Sequence, residues 1–143
     1  MAHDAIRELV ERVTYAPGYT SAVGTRVESA EPGHVVMSLA RTDSLLQANG
    51  FFHGGVIAGL ADHAAGGAVT TAMPPGRFAA PVNLQVSFLA PANGTSLIAR
   101  ARALQVGSTI GVAHVDVASV ADGAETPCAI ATVTLRGVDF PVK

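Results

Sequence analysis

Gln47-Ala-Asn-Gly-Phe-Phe-His-Gly-Gly-Val-Ile-Ala-Gly-Leu-Ala-Asp62 sets a polar amide, a glycine-opened helix start and one acid in an otherwise apolar run. The two glycines after His53 leave backbone N–H groups unobstructed at a helix N-terminus. There the first four donors lack partners within the helix, and the helix dipole favours negative charge. An oxyanion can bind at such a place. Asp62 then sits within Val56-Ile-Ala-Gly-Leu-Ala-Asp-His-Ala-Ala-Gly-Gly-Ala-Val69. An unpaired carboxylate is expensive to bury in that setting unless it has a partner or a chemical task.

Gly54 and Asp62 are eight residues apart, so on one helix they stand about 12 Å apart along the axis. They cannot both touch one reacting carbon. A shared site requires the acid of one chain to meet the glycine N–H of another, as antiparallel helices side by side in a twofold dimer would arrange. The helical neighbours of Asp62 are Ala58, Gly59, Ala65 and Gly66, all small, so a second helix or a ligand can approach the carboxylate closely. A solvated acid on a helix face, with small residues that serve only tight packing, is the other reading of the same pattern.

Outward from this stretch, the spacing predicts one long helix from about His53 to Thr71, stopped by Pro74-Pro75-Gly76. The period then switches to alternation: Val82, Leu84, Val86 and Phe88 point one way and Asn83, Gln85 and Ser87 the other, which predicts a strand with one core face. Similar runs at Ser96–Leu104, Ile110–Val120 and Ala129–Val138 are separated by Pro91-Ala-Asn-Gly94, Gly107-Ser108 and Asp122-Gly123, which read as antiparallel hairpin turns. Upstream, Asp4 is placed to cap a helix with Ile6, Leu9, Val10 and Val13 on one face, ended by Pro17-Gly18. Val23–Glu31 and His34–Ala40 then form a hairpin about Pro32-Gly33. The simplest architecture is α+β: a curved antiparallel sheet of about six strands wrapped around one long central helix. Residues 1–143 read as a single domain, without internal repeat or linker.

Hydrophobic residues make up 49% of the 143 and charged residues 14%, which argues against disorder and for a surface partly covered by other subunits. A net charge of −2 with nine scattered basic residues gives no footprint for a nucleic-acid backbone. Cys128 is the only cysteine and lies in an apolar stretch, so we expect a buried inert thiol and a reducing, cytoplasmic setting. The N-terminus carries charges where a signal peptide needs an apolar core, and Asp62 and His63 interrupt the one run resembling a membrane span. His3, His34, His63 and His114 show no metal-ligand spacing. Gly66-Gly67 reads as helix packing, since neither a P-loop lysine nor a preceding strand is present. Gly107-Ser-Thr-Ile-Gly111 lacks the spacing of a nucleophile elbow and reads as a turn.

The order of elements and the string Gln47-x-x-Gly50-x-x-His53-Gly54-Gly55, with Asp62 nine residues after His53, resemble the hotdog-fold acyl-CoA thioesterases of the phenylacetate-degradation (PaaI) type. The resemblance covers nearly the whole chain, including the strand Val82–Leu89 that ends in Ala90-Pro91-Ala92. It implies a hotdog fold and a thioester hydrolase that takes an acyl-CoA as substrate. No metal or other cofactor is implied, and the active sites would lie at the interface of a homodimer or a dimer of dimers. Asp62 would be general base on water or nucleophile, supplied by the subunit opposite the one whose Gly54 N–H stabilises the oxyanion. Gln47 would position the water or thioester. His53 would orient the loop and carbonyl, Gly55 would join the substrate-binding turn, and Ser108 and Thr109 would contact the CoA nucleotide. A thioester carbonyl is electrophilic and thiolate leaves readily, so a carboxylate and an oxyanion hole suffice.

One departure stands out: Pro81 occupies the position where many relatives carry a Ser or Thr whose hydroxyl assists the acid or the water. A non-catalytic acyl-CoA-binding or regulatory hotdog protein is therefore the alternative. A dehydratase would need a histidine and an acid flanking its substrate, whereas nine residues put His53 and Asp62 on opposite helix faces. The acyl group is not legible, because Phe51, Phe52, Phe78 and Phe88 suit an aryl or a medium-chain pocket equally.

Overall fold

Ile6, Val10 and Thr14 recur every four residues and are buried, so the first segment folds as the amphipathic helix α1 (His3–Tyr15). The structure is a computed structural model and describes residues 2–140. Asp4 does not cap this helix. Ala2 holds the N-cap position without a side-chain bond, and Asp4 lies inside the first turn, where its charge still complements the helix dipole. Gly18, at φ 152°, turns the chain into the four-residue helix α2 (Tyr19–Ala22). Val23 closes that helix, so strand β1 (Arg26–Glu31) starts three residues later than its sequence suggests. β1 and β2 (His34–Ala40) form the expected hairpin, with Gly33 at φ 77° in its turn.

The central apolar run folds as α3 (Gly54–Ala72), and the prolines at 74 and 75 keep it from continuing. Four strands follow: β3 (Arg77–Phe88), β4 (Ser96–Val106), β5 (Ile110–Ala121) and β6 (Ala124–Asp139). They join the hairpin in one sheet of order β1-β2-β4-β5-β6-β3, antiparallel throughout. This is the α+β hotdog architecture expected from the sequence. Pro91-Ala-Asn-Gly94 is nevertheless not a hairpin turn. β3 pairs with β6 from Arg77↔Asp139 to Phe88↔Ala129, while β4 lies between β2 and β5, so that segment is a crossover between strands that never touch. The other two turns are hairpins: Gly107 N–H donates to the Ile110 carbonyl at 2.8 Å, and Asp122 and Gly123 take φ values of 53° and 79°, the pattern of a type I′ turn.

The inner face of the sheet, including Val35, Met37, Leu97, Val115 and Val133, packs against Ala61, Ala64, Ala65 and Ala68 of α3. Small residues seat the helix close to the strands. A methyl group on Gly67 would stand 3.3 Å from Val35, and one on Gly111 only 2.5 Å from Val69. Gly66-Gly67 is thus the packing element its sequence context suggests, and Cys128 is fully buried, with burial raising its thiol pKa. No helix among the described residues is long and apolar enough to cross a membrane.

β3 departs from expectation in a way that matters for the site. Its first half meets α3, where Ala79 N–H donates to Thr70 Oγ1 at 3.0 Å. Beyond that, Val82, Leu84 and Phe88 remain 59%, 39% and 56% exposed, and Val86 is half-buried. The alternating apolar face is real, but α3 of the same chain leaves it uncovered. β3 is an edge strand that carries exposed apolar side chains beside an unpaired row of backbone groups.

Candidate active site

Backbone hydrogen bonds fold the loop before α3 back on itself. Gln47 N–H donates to Phe51 O (2.8 Å), Gly50 N–H to Gln47 O (2.9 Å) and His53 N–H to Leu45 O (2.9 Å), with Gly50 at φ 86° completing the turn. This carries Gln47 to the helix start, where its Nε2 donates to Phe52 O at 3.3 Å. His53 is the N-cap of α3, and its Nδ1 accepts the Gly55 N–H at 2.8 Å. A neutral ring bonded this way carries its proton on Nε2. Only one of the two glycine donors is therefore free: Gly55 N–H is taken by the cap, while Gly54 N–H has no partner among the described residues. A side chain at either position would be tight. A methyl group on Gly55 would lie 3.0 Å from His53 Nδ1, and one on Gly54 3.1 Å from the Phe88 ring.

Two turns further along α3, Asp62 lines a cavity of about 190 Å³ between α1, α3 and the start of β3. Leu9, Val13, Thr14, His63 and Pro81 form other parts of its wall. Asp62 Oδ1 is enclosed and has no hydrogen-bond partner among the described residues, and burial raises the pKa of the carboxyl. Buried polar atoms are nearly always paired, so an orphaned carboxylate oxygen on a residue that lines a cavity marks a place where a ligand or a reaction can supply the partner. Pro81 faces the same cavity, so the missing hydroxyl is missing from the acid's own surroundings.

His63 Nε2 and Thr14 Oγ1 are 2.8 Å apart, Thr14 is fully buried, and burial lowers the His63 pKa. The histidine spacing gave His63 no chemical role and nothing pointed to Thr14. The one available signal was a hydroxyl at the third position of the Ile6–Val10 stripe, where an aliphatic side chain would be ordinary.

Within one chain, Gln47, His53, Gly54 and Gly55 gather at the start of α3, and no hydrogen bond links them to Asp62. Ser108 and Thr109 are exposed in the β4–β5 turn. The adjoining Gly111 packs on Val69, roughly 22 Å along the helix from Gly54 at 1.5 Å per residue. They do not join the Gly54 cluster of their own chain. Among the described residues, no three His, Cys, Asp or Glu side chains group closely enough to hold a metal ion.

An orphaned buried acid makes stability depend on pH. Unfolded, Asp62 titrates at its ordinary value of 3.8, and in the fold it titrates above that. The folded state therefore binds the proton more tightly, and stability is lost as pH rises from 3.8 through the folded value. Asp62→Asn is accordingly expected to melt at a higher temperature than the parent at pH 7, with the gain shrinking on acidification toward 3.8. A lower melting midpoint at pH 7 would contradict an unpartnered buried carboxylate.

Comparison with known proteins bears on the family and the fold. The family model of the thioesterase superfamily matches residues 49–124. A Halobacterium salinarum protein provisionally assigned as an esterase is 37% identical over 127 residues, covering 85% of this chain and 83% of its own length. The 1,4-dihydroxy-2-naphthoyl-CoA hydrolase of Listeria monocytogenes is 28% identical over 95 residues, 66% of this chain and 77% of its own. Among solved structures, a thioesterase family protein of Silicibacter pomeroyi superposes with a TM-score of 0.88 at 29% identity, covering 94% of this chain and 99% of that one. The PaaI protein of the E. coli phenylacetic acid degradation operon superposes at 0.81 and 21% identity, covering 96% of each chain, a likeness of fold. With more than half of its length matched by the family model, a relative above one-third identity and the hotdog sheet closed around its helix, the chain is a member of the thioesterase superfamily.

Proposed function

We propose that the protein hydrolyses acyl-CoA thioesters to the free acid and CoA at a site shared between two copies of the chain. The observation that carries this is Asp62 Oδ1, enclosed on a cavity wall with no partner. A water drawn from the cavity to the Asp62 carboxylate would be the molecule it activates. Asp62 takes a proton from that water, the oxygen attacks the thioester carbonyl, and the carbonyl becomes an oxyanion. Collapse breaks the C–S bond, and the proton on Asp62 passes to the departing CoA thiolate. Attack by the carboxylate itself, through an anhydride that water then opens, balances equally well. Single-turnover hydrolysis in heavy-oxygen water separates the two routes.

The Gly54 N–H is the free donor for the oxyanion, but it lies about 12 Å along the helix from the acid of its own chain. Antiparallel helices in a homodimer bring the Gly54 of one copy to the Asp62 of the other. The exposed half of β3 supports such a pairing. His53 fixes the turn by holding Gly55 N–H, which leaves the Gly54 N–H as the unpaired donor among the described residues. Gln47, held beside the helix start, positions water or the thioester. In this scheme Ser108 and Thr109 contact the CoA nucleotide, and the reaction needs no cofactor.

The Listeria relative's name, a CoA thioester hydrolase, supports the substrate class. Thiol release from a panel of aryl and straight-chain acyl-CoAs tests it, and absence of turnover with every member would refute it. Pro81 favours the second reading, an acyl-CoA-binding protein without turnover, because no hydroxyl stands at that point of the cavity to orient a water. Tight binding of the same panel without thiol release would establish that alternative.

A further inference from the structure

We propose that Phe88 is the apolar wall of the oxyanion site, keeping water from the Gly54 N–H while the thioester carbonyl binds there. The role deepens the thioesterase reading and rests on it for one point, that the Gly54 N–H is the oxyanion donor. Phe88 ends the alternating run Val82, Leu84, Val86, Phe88, and backbone bonds set this end of β3 beside the start of α3. Phe88 is in register with Ala129 of β6, and the Leu89 N–H donates to Cys128 O at 2.8 Å. Just beyond, Ala92 O accepts the Phe52 N–H at 2.9 Å. The strand end and the loop leading into Gly54 are thus tied to each other, and the ring meets the helix across that tie.

Cζ, Cε1 and Cε2 of the ring would stand 3.1, 3.4 and 3.7 Å from a methyl group on Gly54. The Gly54 nitrogen is two bonds from that methyl carbon, so the ring reaches within about 6 Å of it. The contact adds little to the core: more than half of Phe88 is exposed, whereas Phe52 in the loop before Gly54 is fully buried. What the ring stands against is a helix start whose first N–H has no partner among the described residues. In open solvent, water occupies such an N–H and competes with a developing oxyanion, whereas a donor in a water-excluded setting holds the charge far more strongly. With the Gly55 N–H taken by His53, the oxyanion depends on a single donor of this turn, so the surroundings of that donor weigh heavily on the rate. A phenyl ring excludes water without occupying the donor, since it offers no oxygen or nitrogen lone pair.

The test reads kcat, KM and mass in solution for Phe88→Ala and Phe88→Met, with whichever of benzoyl-CoA, phenylacetyl-CoA and hexanoyl-CoA the parent hydrolyses fastest. We expect Phe88→Ala to lower kcat by about tenfold, part of the hundredfold or more that losing an oxyanion donor costs. KM should stay within about threefold, because the donor acts mainly in the transition state. Phe88→Met, which keeps apolar cover, should hold kcat within about threefold of the parent. Both variants should keep the parent's mass. A double-mutant cycle with Gly54→Pro isolates the coupling: once the donor is gone, Phe88→Ala should change kcat by no more than about twofold. If Gly54→Pro fails to fold, the contrast between the two Phe88 variants decides alone. Parental kcat in Phe88→Ala, an equal loss in Phe88→Met, a loss that only follows dissociation of an oligomer, or a tenfold effect that persists beside Gly54→Pro overturns the wall. Any of these, with turnover by the parent, leaves the thioesterase standing. No turnover of any of the three thioesters by the parent refutes the thioesterase reading and the wall together.

Discussion

Asp62→Asn is expected to lower the turnover of acyl-CoA thioesters by about a hundredfold or more, the usual loss when a general base is removed. Substrate binding should persist, because the amide keeps the shape of the carboxyl but can neither take a proton from water nor attack a carbonyl. The pH profile gives an independent signature. Burial raises the Asp62 pKa above 3.8, and the reaction needs the ionised form. Activity in the parent should therefore fall on acidification through a value above 3.8, and that limb should be absent from the residual activity of the variant. Turnover within a few-fold of the parent would remove Asp62 from the mechanism. Together with the higher melting temperature expected of the same substitution, the result would describe one residue kept at the expense of stability for the sake of reactivity.

The second large effect concerns the edge of the sheet. Leu84 is 39% exposed and pairs across to the buried Val133, so it belongs to the inner face that α3 leaves uncovered. Fully burying a leucine or phenylalanine side chain contributes about 1.5–3 kcal/mol, and several such residues lie along β3. Leu84→Lys puts a charge in the middle of that surface, where pairing of two copies would bury it. We expect the mass in solution to fall from that of a dimer or higher oligomer to that of a monomer. Activity per chain should fall with it by about tenfold or more, as the sharing of each site between two copies requires. A monomer with parental activity would show that β3 does not assemble the site.

Much of this was legible in the sequence, and the exceptions have physical causes. The long helix, the later strands and three of the four hairpin turns follow from periodicity and from Gly, Pro and Asp signals, because those elements are decided locally. The partner of β3 is not. Pro91-Ala-Asn-Gly94 has the composition of a hairpin turn, and only the long register with β6 makes it a crossover. Alternation along β3 correctly announced an apolar face, but a sequence does not say whether α3 will cover it. At the site, the isolated acid in an apolar helix pointed to Asp62, whose orphaned oxygen is visible only in three dimensions. The capture of Gly55 N–H by His53 depends on a side-chain rotamer, and the His63–Thr14 contact spans 49 positions of chain. No local pattern encodes either.

The shared site is tested most directly by mixing two crippled chains. Gly54 is the first residue of α3 and His53 before it is extended, so the backbone there suits proline once the exposed Phe88 ring gives way, and the missing N–H removes the oxyanion donor. Gly54→Pro and Asp62→Asn homodimers should both be nearly inactive. After subunit exchange, random pairing makes about half of the dimers mixed. In each of these, one site carries both lesions and the other neither, so about a quarter of parental activity should return. Mixed dimers confirmed by mass and still inactive would mean that Gly54 and Asp62 do not serve one site across two copies of the chain.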